Sequence, residues 1–207
     1  MLLFAHTGIT LGTGLLMISL SDRYFTRIVA RPLKSSIASQ EANRHEGNRI
    51  LKRESLSHYV DLRLLLIGSL LPDIIDKPIG TFFLRGTFSN GRIFSHSLLF
   101  LVMISLIGFY LYKHRTKTWL LVISFGTFTH LILDQMWRDP HTLLWPAFGF
   151  TFEKGDVSEW IPSLIHALWR DPGVYVPELL GLAILVWFTW SLVRRRRVSS
   201  FLRFGRA

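Results

Sequence analysis

The 207-residue sequence contains no cysteine. That absence excludes disulfides, thiolate metal sites and cysteine nucleophiles, and leaves any metal chemistry to imidazole and carboxylate groups. Acidic residues are scarce: 14 Asp and Glu stand against 24 Lys and Arg, for a formal net charge of +10. Internal repeats and low-complexity tracts are also missing. What the sequence has in excess is apolar. Hydrophobic residues make up 49% of it, aromatic residues 14%, and seven residues are Trp. The mean hydropathy is +0.32. A soluble domain of this length rarely averages above zero, and tryptophan enrichment suits rings placed at membrane interfaces. The composition predicts an all-α, multi-pass transmembrane bundle forming a single membrane domain over residues 1–207.

Five spans are expected. Leu2–Leu20 is apolar apart from small polar residues and His6. It has no preceding Lys or Arg and no following small-residue cleavage site, so it reads as a first spanning helix and not as a signal peptide. In Leu62–Leu84 an apolar run gives way to Pro72, Asp73, Asp76, Lys77 and Pro78. Polar groups and two prolines at membrane depth predict a broken helix lining a cavity. Ser97–Tyr112 and Trp119–Met136 are cleaner spans, each roughly 24–27 Å long at the helical rise. Pro177–Val193 is the last, stopped by Arg194–Arg197. Between these lie a basic loop at 22–61, a tight turn at Lys113–Lys117, a loop at 137–176 rich in Trp, Pro and acids, and a basic tail at 194–207. Within the 137–176 loop, Trp160–Trp169 is expected to lie flat in the interface.

The placement of the positive charge fixes an expected orientation. The 22–61 loop, the Lys113–Lys117 turn, the tail and Arg63 hold 18 of the 24 basic residues. The remaining six are Lys77, Arg85, Arg92, Arg138, Lys154 and Arg170. The positive-inside rule assigns the richer side to the cytoplasm, with the N-terminus outside and the C-terminus inside the plasma (inner) membrane. The basic excess is then accounted for by topology and by anionic headgroups of membrane lipids, and no nucleic-acid partner is expected.

With that orientation, His6, Asp73, Asp76, His96, His130 and Asp134 all fall at one level on the extracytoplasmic side, with Asp139 and His141 just beyond. Ionisable groups cost about 3 kcal/mol or more inside a bilayer unless they are paired or bound to a cation. Several of them at one depth call for a common partner, and a divalent metal is an economical one. His130 and Asp134 are spaced i, i+4 and share a helix face; Asp73 and Asp76, at i, i+3, do likewise if that stretch is helical. Imidazole and carboxylate ligands fit zinc best, with manganese and iron as alternatives. Taken singly, each residue has a plainer reading. His6 also reads as a capping or interfacial residue, Asp73 after Pro72 as a helix cap, Asp76 and Lys77 as buried structural ions paired with other groups, and His96 as a polar helix start. His45, His58, His114 and His166 read as surface residues.

Four pieces carry a family resemblance: AHTGITLG at Ala5–Gly12, GSLLPDIIDKP at Gly68–Pro78, GRIFSHSLL at Gly91–Leu99 and THLILDQMWRDPHTLLWP at Thr129–Pro146. In their order and joint spacing the sequence resembles the YdjM-like family of LexA-binding, inner-membrane-associated metal-dependent hydrolases. The resemblance covers the chain from the first to the fourth span. It implies metal ligands at His6, Asp73, His96, His130 and Asp134, with Asp76 and His141 in a second tier. More weakly, the ligand order is similar to that of zinc-dependent phospholipase C enzymes, which implies two or three metals. Two departures stand out: Gly91 occupies a place where the family often has histidine, and Ile75 interrupts a Pro-Asp-x-Asp pattern, so that Asp76 comes one residue late.

The expected function is a metal-dependent hydrolase acting on a lipid or lipid-linked phosphoester at the extracytoplasmic face. Asp73 or Asp76 would serve as general base, and Arg92, with Arg138, would hold the phosphate. An ion- or proton-coupled transporter and a non-catalytic membrane protein with a structural polar cluster are the alternatives.

Overall fold

A computed structural model describes residues 3–25, 56, 59–84, 86, 90–152 and 160–206. Most of the expected basic loop, with His45 and His58, lies outside the described residues, as do Arg85 and Lys154. Among the described residues the structure is all-helical, with no strand.

The first helix opens on a wide, π-helical turn, Ala5–Ile9, and continues as α1, Thr10–Phe25. Helix α2 spans Leu62–Lys77. The Asp61 side chain caps it by accepting the Arg63 N–H at 2.9 Å. A second wide turn, Pro78–Phe83, follows directly. Helix α3, Leu98–Arg115, is capped by the Ser97 hydroxyl and ends where Thr116 turns left-handed at φ 53°. Helix α4 is Trp119–Leu133, and a tight turn at Met136–Arg138 leads to the short α5, Pro140–Leu143. Helix α6 spans Trp160–Arg170, α7 spans Pro172–Arg194 behind an Asp171 cap, and α8 spans Val198–Phe204.

Several expected boundaries move. The second span does not break at Pro72; α2 runs through it to Lys77, and the irregularity falls at Pro78–Phe83. Pro72 lacks the N–H that would bond the Gly68 carbonyl four residues back. That carbonyl instead accepts the Thr127 hydroxyl of α4 at 3.3 Å, so a neighbouring helix satisfies the freed group. The last helix starts at Pro172 rather than Pro177, because Asp171 and Pro172 supply a cap and an N1 proline. Lys113–Arg115 belong to α3, which shortens the turn at Lys113–Lys117 to its second half.

Helix α2 is central. It packs on the first helix on one side and on α4 on the other, while α3 packs on α4 and α7 on the opening turn of the first helix. The α2–α4 contact is backbone on backbone. A Cβ on Gly68 would meet the Ile123 main chain, and one on Gly126 would meet the main chain of Leu65, Gly68 and Ser69. Small residues of this kind let membrane helices approach closely. A core of Leu11, Leu62, Leu65, Val122, Phe188 and Leu192 ties α1, α2, α4 and α7 together.

Polarity is inverted relative to a soluble domain. The buried set includes His6, Thr10, Ser69, Asp76, His96, Thr127, His130 and Glu178. Leu106, Ile107, Phe109, Leu179, Val186, Trp187 and Trp190 are exposed. Helices α3 and α7 are long and apolar enough to cross a membrane, at 18 and 23 residues. Helix α4 is apolar but shorter, at 15 residues.

Candidate metal centre

His6 comes from the wide turn before α1, Asp73 and Asp76 from α2, His96 from the loop before α3, and His130 and Asp134 from the end of α4. His6, Asp76, His96 and His130 are buried completely. The Asp73 and Asp134 side chains are 16% and 4% exposed.

The orientation of each imidazole has an identifiable cause. His130 Nδ1 lies 2.7 Å from the Ser69 carbonyl. A carbonyl only accepts, so Nδ1 carries the proton and Nε2 presents a lone pair. His96 Nδ1 lies 2.7 Å from Asp76 Oδ2, which fixes the same tautomer. Asp76 is in turn gripped by the loop it serves: the backbone N–H groups of Ile93, Ser95 and His96 donate to its carboxylate at 2.8 to 3.2 Å. The Ser95 hydroxyl reaches the Pro72 carbonyl at 2.9 Å.

With both rings neutral, the two Nε2 atoms face each other as lone pairs, His96 Nε2 and His130 Nε2 lying 3.2 Å apart. Asp73 Oδ1 lies 3.6 Å from the first and 3.9 Å from the second, and Asp134 Oδ2 lies 4.0 Å from His96 Nε2. His6 stacks on His130 with ring centroids 4.1 Å apart, and its Nε2 is 3.1 Å from Asp134 Oδ1. Both His6 nitrogens are buried without a hydrogen-bond partner. Two overlapping triads, His6–Asp73–His130 and His96–His130–Asp134, have their ligand atoms within 4.8 Å of one another. Imidazole nitrogens and carboxylate oxygens thus converge on one point, an arrangement that a shared proton or a metal ion would satisfy. Three imidazoles and two carboxylates make a donor set suited to zinc, manganese or iron.

Two cations close the rim. Lys77 Nζ bonds Asp73 Oδ2 at 2.7 Å, and Arg92 Nη2 bonds Asp134 Oδ2 at 2.8 Å. Their side chains are 40% and 42% exposed, so both stand between the cluster and its surroundings.

The structure thus brings His6, Asp73, His96, His130 and Asp134 together. Asp76 is placed behind His96 rather than at the centre, which corrects its expected part as base or second-tier ligand: backbone donors and one imidazole take up its oxygens. His141 is not brought in; its ring is exposed and tilts against Phe148 at 5.5 Å. Arg138 is exposed at the end of its turn, and Asp139 caps α5 by accepting the Thr142 N–H. His114 sits exposed beside Tyr110, and His166 is exposed on α6. Sequence reasoning missed Lys77 as a rim group, although its i, i+4 spacing from Asp73 signals the pair. It also missed Glu178, the acidic residue buried in the largely apolar α7.

Apolar helices with outward-facing hydrophobic side chains, folded around a buried layer of histidine and aspartate, define a helical membrane protein with an enclosed polar centre. The chain belongs to the YdjM inner membrane protein family, whose model matches residues 1–198. The match extends through α7, beyond the four pieces that carry the resemblance in the sequence. Comparison with curated proteins and with solved structures gives no match.

Proposed function

We propose that the protein is a membrane-embedded, metal-dependent hydrolase that acts on a lipid or lipid-linked phosphoester at the extracytoplasmic face. The observation that carries this reading is the pair of bare imidazole nitrogens 3.2 Å apart, their tautomers set from behind, flanked by two carboxylates. The five-span, N-outside and C-inside topology belongs to the same proposal and rests on the distribution of basic residues.

His6, His96, His130, Asp73 and Asp134 would hold one or two divalent ions, zinc being the best fit to the donors. A bound ion supplies Lewis acidity and a water acidified toward neutrality. Asp76 and the Ser69 carbonyl keep His96 and His130 in the ligating tautomer. Asp73 is the more open of the two carboxylates and is the group to take a proton from water. Lys77 and Arg92 neutralise the two ligating carboxylates, so a divalent ion leaves the mouth positive even after Asp76 is counted. A positive mouth in a low-dielectric layer favours an anionic substrate, and Arg92 suits a phosphate geometrically.

The test is metal content together with phosphoesterase activity on vesicles or micelles of anionic phospholipid, for wild type and four variants. His130→Ala and Asp134→Ala are expected to lose both metal and activity; His114→Ala and His166→Ala are expected to keep both. Folded wild type without metal, combined with His130→Ala as stable as wild type, would overturn the reading and leave the cluster as a structural polar layer.

A further inference from the structure

The last helix reaches the site without contributing a side chain to it. Helix α7 packs chiefly on the wide turn Ala5–Ile9, and that turn carries His6. Glu178 is buried, and its Oε2 accepts the Phe4 N–H at 3.0 Å. One turn further along the same face, Gly181 meets the turn with its backbone. A Cβ there would overlap the Phe4 carbonyl and the Ala5 nitrogen, and a Cβ on Gly8 would overlap the Gly181 carbonyl. The contact therefore has no side-chain layer that could adjust by changing rotamer.

His6 differs from the other imidazoles in how it is held. His96 is fixed through Nδ1 by Asp76, and His130 through Nδ1 by Ser69. No hydrogen bond holds the His6 ring from behind; its polar contact, Nε2 to Asp134 Oδ1 at 3.1 Å, is to a member of the cluster itself. Its position otherwise follows from the backbone of its own turn and from stacking on His130. Wide π-helical turns are rare and occur mostly as single-turn bulges, frequently at functional sites, so what packs against this one matters. A buried carboxylate at the start of a helix also meets the positive end of the helix dipole.

We infer that Glu178 is a positioning residue for the candidate metal centre: with Gly181 it seats the Ala5–Ile9 turn against α7 and thereby sets where His6 stands relative to Asp134 and His130. The consequence for metal binding rests on the proposed metal-centre reading; the consequence for His6 placement does not.

The experiment uses the full chain in detergent, with Glu178→Ala, Glu178→Gln, His6→Ala and the double variant of Glu178→Ala with His6→Ala. Phe188→Ala is the control, because Phe188 lies in the core on the same helix, away from the turn. The first readout is ethoxycarbonylation of His6 by diethyl pyrocarbonate, measured by mass spectrometry. Wild type and Glu178→Gln, whose amide oxygen still accepts, should protect His6. Glu178→Ala should expose it while His130 stays protected, and Phe188→Ala should lower thermal stability without exposing it. The second readout is zinc affinity. Glu178→Ala should weaken it roughly tenfold to a hundredfold, the usual loss when support for a ligand is removed. That loss should disappear in the His6→Ala background. If His6 is equally protected in Glu178→Ala and wild type, the inference is wrong. If Glu178→Ala exposes His6 but wild type binds no zinc, the positioning role stands and the metal reading fails. An equal loss of affinity with and without His6 would make Glu178 a general stabiliser, and the inference would again be wrong.

Discussion

At the residue scale, the proposed metal centre depends on the groups behind its imidazoles as much as on the imidazoles. Asp76 Oδ2 accepts from Nδ1 of His96 and from the backbone N–H groups of Ile93, Ser95 and His96, and the Ser95 N–H also reaches Oδ1. Asp76→Asn puts an amide in that place. If its NH₂ faces Nδ1, the imidazole proton moves to Nε2 and points into the centre. Metal affinity should fall roughly tenfold to a hundredfold, with His96 itself unchanged. Titration of the variant with zinc checks this, and undiminished affinity would show that the tautomer is not set by Asp76. Lys77 leads to the opposite pattern. Lys77→Met should leave metal content near that of wild type while raising KM for an anionic phospholipid, because its ammonium stands at the rim. A loss of metal in this variant would place Lys77 in the support of Asp73 instead. Spacing made both partners visible in the sequence, but not their directions. Asp73 and Asp76 share a helix at i, i+3, yet one faces the centre and the other faces the loop at 93–96. That division depends on where the loop returns, which helical periodicity does not contain.

At the element scale, α2 and α4 are locked by Gly68 and Gly126 and by the Thr127 hydroxyl on the Gly68 carbonyl. Thr127→Val keeps the shape and removes the donor. The carbonyl freed by Pro72 then loses its partner, at a cost of about 1–3 kcal/mol. A clear drop in thermal midpoint is expected, with metal content retained. Gly68→Ala is more severe: its Cβ meets the Ile123 main chain, so α2 and α4 must part. Ser69 and Asp73 would then draw away from His130. Overpacking of this kind costs about 1–3 kcal/mol, and metal content should fall together with stability. Hydropathy located the two span-length apolar helices, α3 and α7, and the shorter apolar α4, since each is a long run between charged stretches. The sequence predicts a broken second segment from Pro72 and Pro78 together, and the irregularity falls at the second of them, because a neighbouring helix takes up the carbonyl that Pro72 orphans. The junction of tail and bundle offers a pH test. Arg63 bonds both oxygens of Asp61 and donates to the Leu202 carbonyl, while Leu62 N–H donates to the Gly205 carbonyl. The hydrogen bond from Arg63 holds the Asp61 carboxyl below the usual carboxylate range. A lowered folded-state pKa contributes stability that is whole above about pH 4 and is lost as pH falls through the folded value. The protection factor of the Leu62 amide, the unstructured exchange rate divided by its own rate at the same pH, should therefore fall on strong acidification, and in Asp61→Asn it should already be low at neutral pH.

At the scale of the whole molecule, the polarity is turned inside out, with hydroxyls, imidazoles and carboxylates within and aromatic and aliphatic side chains without. Reporter fusions after Ala207 should read as cytoplasmic and fusions near Gly155 as external. The reverse pattern would move the polar centre to the cytoplasmic leaflet and, with it, the leaflet that supplies substrate. The overall class was legible from hydropathy and composition alone, because a chain that must satisfy a bilayer advertises it in every span. The tilt of one helix on another was not, because it is set by a few glycines whose partners lie tens of residues away.

The glycine contact between α2 and α4 has a mechanical consequence. Where two backbones touch, no cushion of side chains is left to shear, and the pair moves as one solid piece. Asp73, His130 and Asp134 ride on that piece, and Asp76 pins the loop bearing His96 to it. Only His6 belongs to a separately hinged part. The centre is accordingly a cup on one piece with its remaining wall, His6, on another, and any relative motion of the two pieces shifts His6 against Asp134 and His130.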